Sequence, residues 1–91
     1  MGATAFTVDF ELTVDRPGLD IEEIVKVEGQ PFTADTRADG VTFVGTAPIV
    51  GLTQADAERA FRTKLEEGAA NDGYGVVSLA IVGLRPTAFS G

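Results

Sequence analysis

Residues 4–14 read Thr-Ala-Phe-Thr-Val-Asp-Phe-Glu-Leu-Thr-Val, and apolar and polar side chains alternate along them. The apolar positions are Phe6, Val8, Phe10, Leu12 and Val14, and the polar positions between them are Thr7, Asp9, Glu11 and Thr13. Because successive side chains of a strand point to opposite faces, this pattern predicts a β-strand with one buried and one solvated face. Such strands are typical of antiparallel sheets that are covered on one side only.

A second fold signal is the dipeptide Asp39-Gly40, which favours a two-residue hairpin turn of type I′ with positive φ at both central residues. The hairpin covers residues 32–49, and its predicted pairs are Ala38–Val41, Arg37–Thr42, Thr36–Phe43, Asp35–Val44, Ala34–Gly45, Thr33–Thr46 and Phe32–Ala47. This register separates an apolar face from a mostly polar one. Such a separation is expected of a correct register, since a slip of one residue would exchange the two faces.

Two segments have helical spacing. Residues 20–28 begin with Asp20 as a candidate N-cap, followed by Glu23 in a variant of the capping box. The same segment is rich in β-branched residues, so a strand is the alternative there. The clearer helix begins at Thr53 as N-cap and buries a stripe of Ala57, Ala60, Phe61 and Leu65.

The last predicted strand, Tyr74–Leu84, has apolar side chains at both its odd-numbered and its even-numbered positions, and Pro86 ends it. The resulting order β-α-β-β-α-β predicts an α+β, ferredoxin-like fold, with a four-stranded antiparallel sheet and two helices on one face. If residues 20–28 form a strand, a β-grasp-like α+β roll is the alternative. We expect one domain over residues 1–86, a loose tail over residues 87–91, and a core in which Phe10, Phe43 and Phe61 meet.

The composition limits the possible functions. Fourteen acidic and seven basic residues give the 91-residue chain a net charge of −7, which disfavours nucleic acids and anionic membranes as partners. The chain contains no Cys and no His, so it cannot by itself supply a thiolate nucleophile, a zinc finger or a Ser-His-Asp triad. We therefore expect no catalytic, cofactor-binding or metal-ligating residue. No secretory signal is visible, which makes a cytoplasmic location the expectation.

The order of several turn motifs is similar to that of polysaccharide-export domains. Arg16-Pro17-Gly18-Leu19-Asp20 is followed by Ile24–Gly29, by Asp39-Gly40 and by Gly51-Leu52-Thr53 ahead of a helix. In that family a Pro-Gly-Asp turn, a Gly-containing strand, an Asp-Gly turn and a Gly-Leu-Thr helix start occur in this order. Here Leu19 interrupts the first motif and the segment between the last two is short. No residue role is carried over from this resemblance.

Two sets of side chains are candidates for function. The acidic set is Asp9, Glu11, Asp15 and Asp35, on the polar parity of the sheet or close to it. The bland interpretation is a solvated face. The functional interpretations are an acid/base pair of Asp9 and Glu11, or a surface of all four carboxylates that docks on a basic partner. A hydroxyl-lined surface of outward threonines and a binding role for Tyr74 are further candidates. Each has a simpler structural explanation, since threonine suits a solvated strand and tyrosine often anchors a strand end.

The second set is an apolar stripe on the last strand. If Val77, Leu79 and Ile81 face the helices, then the open side carries Val76, Ala80, Val82 and Leu84. Exposed apolar stripes of this kind usually mark contacts with other chains. The leading hypothesis is a non-catalytic interaction or assembly module that self-associates through its sheet. The alternatives are a small-ligand-binding oligomeric domain, an acidic inhibitor or decoy of a basic partner, and a small enzyme that uses carboxylates or Tyr74.

Overall fold

A computed structural model describes residues 3–87 as six elements, two helices and four strands. In chain order they are β1 (Thr4–Val14), α1 (Ile21–Val25), β2 (Thr33–Thr36), β3 (Thr42–Gly51), α2 (Gln54–Asn71) and β4 (Val76–Pro86). The strands form one sheet in the order β2-β3-β1-β4, and all neighbours are antiparallel. The prediction of an α+β chain with a four-stranded antiparallel sheet and two helices is confirmed.

Strand β1 lies inside the sheet and pairs with β3 on one side and β4 on the other. Its predicted inward residues are all buried, and Val8, Phe10 and Leu12 have no exposed surface. The polar positions between them are half-buried or exposed. The alternation of residues 4–14 therefore has the expected cause, since one face of β1 packs into the core and the other faces solvent.

The core joins this inward face to both helices. Ile24 and Val25 of α1 and Leu65 of α2 belong to the same buried cluster as the β1 residues. The rings of Phe10 and Phe61 lie 5.4 Å apart in a tilted arrangement, a favourable geometry for aromatic pairs. Phe43 belongs to this cluster as well. The three phenylalanines that were expected to meet therefore lie in one buried cluster, in which Phe10 and Phe61 are in direct ring contact.

The predicted hairpin register is confirmed, but the predicted turn is wrong. β2 and β3 pair Thr33 with Thr46 and Thr36 with Phe43, as the sequence suggested. Gly40 has a φ of +76°, whereas the φ of Asp39 is not positive, so the turn is not type I′. Instead, the Gly40 amide donates to the Arg37 carbonyl over 2.9 Å. The Asp39 carboxylate accepts bonds from the amides of Val41 and Thr42 and from the Thr42 hydroxyl.

The helices begin where the sequence predicted, with one difference in capping. The Thr53 hydroxyl accepts a hydrogen bond from the Asp56 amide over 3.1 Å, as an N-cap should. Asp20 precedes α1 but makes no side-chain cap bond, so the predicted capping box is wrong. Because residues 21–25 are helical, the strand alternative for this segment is also wrong. Ala60 of α2 is exposed and lies outside the buried stripe.

Two further predictions concern the ends of the chain and the membrane. Residues 88–91 of the predicted loose tail lie outside the described residues. Thr87 is tied to the sheet, because its amide donates to the Ala5 carbonyl over 2.8 Å and its hydroxyl bonds that of Thr7. Within residues 3–87, neither helix has the length and apolarity needed to cross a bilayer.

We predict that Gly40→Val destabilises the protein by about 1–2 kcal/mol, because a β-branched residue resists positive φ. A Cβ at Gly40 would meet only the Pro17 side chain, at 3.4 Å, so we attribute the expected loss to the positive φ of this residue. Urea unfolding measures it, with Ala38→Val in the same turn as the matched control. Equal stability of the two variants would contradict the turn assigned here.

A pH-dependent prediction concerns Asp39. Hydrogen bonds from the Thr42 hydroxyl and from the amides of Val41 and Thr42 hold the pKa of this carboxyl below its usual 3.8. A lowered folded-state pKa stabilises the fold above the unfolded-state pKa, and this contribution is lost as the pH falls through the folded value. We therefore expect the difference in Tm between wild type and Asp39→Ala to be constant above about pH 5 and to shrink below pH 3.8.

The control for this titration is Asp20→Ala, since the Asp20 side chain makes no cap bond. Melting curves of the three proteins from about pH 7 to pH 2.5 measure the effect. A Tm difference for Asp39→Ala that stays constant over the whole range would contradict the prediction.

Candidate functional site

Strand β4 is the longer of the two edge strands, with 11 residues against 4 in β2. Among residues 3–87 its only strand partner is β1, so its outer edge faces no strand. The register with β1 shifts twice, between Asp9 and Phe10 and between Thr13 and Val14. Val82 and Val77 have no partner residue at these shifts. Each shift is a β-bulge, which inserts one extra residue and reverses the side-chain parity beyond it.

Because of the bulges, two candidate interface residues, Val76 and Leu84, do not lie on the predicted face of the sheet. Val76 pairs with Val14 and Leu84 pairs with Val8, and both of these β1 residues face the core. Val76 and Leu84 accordingly pack against the buried cluster. The prediction that they lie on the open side is wrong, because a strict period of two does not continue across a bulge.

The other two candidates and one unexpected residue remain accessible. Ala80 is exposed and pairs with Glu11, on the open face of the sheet. Val82 is 72% exposed. Val77 was expected to face the helices but is 66% exposed at the first bulge. The large exposed apolar side chains of β4 are therefore the two bulge valines, with the small side chain of Ala80 exposed beside them, and their place in an interface remains a prediction.

Two side chains of α2 reach the outer edge of β4. Arg62 Nη1 donates to the Leu79 carbonyl over 3.0 Å, and Gln54 Nε2 donates to the Leu84 carbonyl over 3.2 Å. Odd-numbered residues of β1 bond to β4, as Ala5 and Asp15 do at its two ends, whereas Val14 bonds towards β3. Leu79 and Leu84 pair with the even-numbered Leu12 and Val8, so their carbonyls point away from β1, to the unpaired side of the strand. We refer to Arg62 and Gln54 as the edge cap. Arg62 has a second acceptor, since its Nη2 lies 3.4 Å from Glu58 Oε1.

The open face of the sheet carries the predicted rows of hydroxyl groups. Facing threonines bond in pairs, Thr13 with Thr42 over 3.2 Å and Thr33 with Thr46 over 3.0 Å. Thr33 Oγ1 also accepts the Thr46 amide. These hydroxyls bridge neighbouring strands, which is the known role of cross-strand threonine pairs. The face is lined with hydroxyls, as predicted, and they are used within the sheet.

The acidic residues do not form one cluster of free carboxylates. Asp9 Oδ2 lies 2.6 Å from Arg85 Nη1, an ion pair between adjacent strands. Gly83 leaves room for it, because a Cβ at that position would lie 2.7 Å from the Asp9 carboxylate. Glu11 and Asp35 share a row with Val44 on the open face. Asp9 is already paired with Arg85 at short distance, so an acid/base pair of Asp9 and Glu11 would have to compete with this ion pair for the Asp9 carboxylate.

Asp15 and Tyr74 lie at the end of the sheet, away from the middle of the open face. The Asp15 amide donates to the Gly75 carbonyl over 3.0 Å, which closes the β1–β4 ladder. The guanidinium of Arg16 lies 4.6 Å from the centroid of the Tyr74 ring. Such a cation–π contact ties the loop after β1 to the turn before β4. The structure thus gives Tyr74 the anchoring role that was the simpler of the two sequence interpretations.

An apolar groove of about 300 Å³ lies beside the end of β3. Its lining comprises Ala5, Val27, Gln30, Pro48, Ile49 and Val50. β2 pairs with β3 only as far as Thr46, so the β2 side of the next residues has no strand beside it within the described chain. Val50 is 57% exposed there. The groove contains no charged side chain, so any ligand it holds would be bound mainly by apolar contacts.

Neither a metal cluster nor a relative points to a function. Residues 3–87 contain no group of three or more Asp, Glu, His or Cys side chains that could hold a metal ion. No family model, no curated protein and no solved structure matches the chain. The function is therefore inferred from the geometry of this chain.

Sequence reasoning missed Val77 and both members of the edge cap. Gly83, directly after Val82, was the one available signal, because a glycine inside a strand often marks a bulge. The first bulge has no such signal. Arg62 and Gln54 lie on the polar side of α2, and nothing in their spacing indicates that they reach backbone carbonyls of a distant strand.

Proposed function

We propose that the chain is a non-catalytic interaction module that self-associates through strand β4. The observation that carries this proposal is the outer edge of β4, a strand of 11 residues with two largely exposed valines and no neighbouring strand among the described residues. An exposed strand edge presents unpaired amide and carbonyl groups, and exposed apolar side chains on it favour contact with another chain.

We further propose the ferredoxin-like arrangement, with both helices on one face of the sheet. Three observations support it: the element order β-α-β-β-α-β, the strand order β2-β3-β1-β4, and one buried cluster shared by α1, α2 and the inward face of β1. In this arrangement the helices leave the opposite face and the β4 edge accessible to a partner.

The distribution of charge supports β4 as the place of self-contact. The chain carries a net charge of −7, so two copies repel each other wherever acidic residues meet. The stretch Val76–Leu84 holds no charged residue. The other edge strand, β2, is short and contains Asp35. Contact between two β4 strands brings uncharged segments together in a two-fold arrangement, the commonest symmetry of soluble oligomers.

Val82→Lys is predicted to raise the dissociation constant of the dimer at least about tenfold, because the ammonium group would have to be desolvated in the contact. Folding should be unaffected, since Val82 is mostly exposed. Light scattering coupled to size-exclusion chromatography measures the association. Val50→Lys is the matched control, since Val50 is another exposed valine but lies on β3.

The salt dependence of binding distinguishes self-association from docking on a basic partner. Two chains of charge −7 should associate more tightly as salt screens their repulsion, whereas an acidic chain binding a basic partner should do the reverse. A wild-type protein that stays monomeric at micromolar concentrations and high salt would refute self-association. Equal effects of Val82→Lys and Val50→Lys would refute the assignment to β4.

The apolar groove beside β3 favours a second candidate function, a small-ligand-binding domain. It is concave and apolar, and one polar side chain, Gln30, lies in its lining. Small-molecule sites have this character, with a few polar groups that orient the ligand. The ligand class that fits is a neutral, mainly apolar molecule.

Nile red, a neutral apolar dye, tests this second candidate. We expect its fluorescence to rise on the wild-type protein and Val50→Asp to weaken binding at least about tenfold, because the carboxylate would be placed in an apolar site. Val82→Asp is the control, since it adds the same charge on β4. The candidate fails if the dye does not bind or if both variants weaken binding equally.

A further inference from the structure

The outer edge of β4 is occupied at two points by side chains of the same chain. The Leu79 and Leu84 carbonyls accept hydrogen bonds from Arg62 and Gln54, the edge cap. A second strand that paired with this edge would need these carbonyls as acceptors for its own amides. The edge cap and a pairing strand therefore compete for the same two oxygen atoms.

Arg62 can leave its carbonyl without becoming an unpaired charge. Its guanidinium is shared between the Leu79 carbonyl and Glu58, one helical turn away on α2. The Arg62 side chain is 41% exposed, so water also remains available to it. When a partner amide takes the Leu79 carbonyl, the pair with Glu58 can persist. Release of the cap thus exchanges one hydrogen bond for another, with no buried charge left behind.

The edge of β4 is also suited to a second copy of the same strand. Its segment Val76–Leu84 is uncharged in a strongly acidic chain, so an antiparallel β4–β4 contact places no like charges opposite each other. The two-fold axis would bring each capped carbonyl to a β4 amide of the other copy. Each copy would then release its own edge cap, which makes the two releases concerted.

We propose that Arg62 and Gln54 form a releasable cap over the β4 edge, and that their release allows strand-to-strand pairing with β4 of a second copy. The proposal rests on the proposed function for its partner and adds how the contact is controlled. In the capped state two copies meet only through side chains such as Val77 and Val82. In the released state the two sheets join into one through backbone hydrogen bonds.

Arg62→Ala tests the cap, with Arg59→Ala as the matched control. Both arginines lie on α2 and pair with a carboxylate of the same helix, but only Arg62 bonds to β4. We expect Arg62→Ala to tighten dimerisation at least about fivefold, because the cost of displacing the cap is removed. Arg59→Ala should match wild type. Gln54→Ala, which leaves the Arg62 bond intact, should tighten dimerisation by a smaller factor.

Hydrogen exchange of the backbone amides supplies the second measurement. Pairing through the edge should protect amides in residues 79–84 in a concentration-dependent way, and more strongly in Arg62→Ala than in wild type. Dimerisation of Arg62→Ala no tighter than that of wild type, or tighter dimerisation without this protection, would overturn the cap. Should Arg62→Ala fail to fold, Gln54→Ala decides by the same two readouts.

The two proposals fail separately in these experiments. If wild type dimerises through Val82 but neither cap variant tightens the dimer, the cap is refuted and the association surface stands. If wild type stays monomeric while Arg62→Ala dimerises with protection of residues 79–84, the cap is supported. In that case self-association of the wild-type chain is refuted, and the cap acts as a block against it.

Discussion

The inward face of β1 is the constraint on which the rest of the structure depends. β1 is paired on both sides, and its buried side chains run from Phe6 to Val14 without a polar interruption. The tilted contact of Phe10 with Phe61 joins this face to α2, whose buried stripe continues through Leu65 and Ala69. A chain of this size has one core, so loss of this face would remove the support for both helices.

The two bulges of β4 extend that constraint to the exposed side chains of this edge strand. β1 sets which β4 residues face the core, and the bulges allow Val76, Leu79, Ile81 and Leu84 all to do so although their spacing is irregular. The two extra residues, Val77 and Val82, are displaced outward as a consequence. The exposure of these two valines therefore results from the way in which β4 pairs with β1.

Two different sides of helix α2 make contacts with the sheet. Its apolar side packs on the sheet, while Gln54 and Arg62 extend along its flank to the outer carbonyls of β4. The same docking that stabilises the fold thus positions the edge cap. In the proposed pairing, Arg62 keeps Glu58 as an acceptor when it leaves the Leu79 carbonyl.

Sequence alone determined the features that local chemistry decides. The alternation of residues 4–14 predicted the buried face of β1, Thr53 predicted the start of α2, and Asp39-Gly40 predicted the β2–β3 register. The exact turn differed because the Asp39 side chain, and not a positive φ at Asp39, satisfies the amides that follow it. Only the tertiary structure decided the faces of β4 and the edge cap. Tyr74–Leu84 is apolar at both parities, so its sequence holds no preference between faces, and pairing with β1 across two bulges selects one. The Arg62 bond to Leu79 exists only because α2 packs beside β4. Nothing in the sequence of either segment indicates this contact.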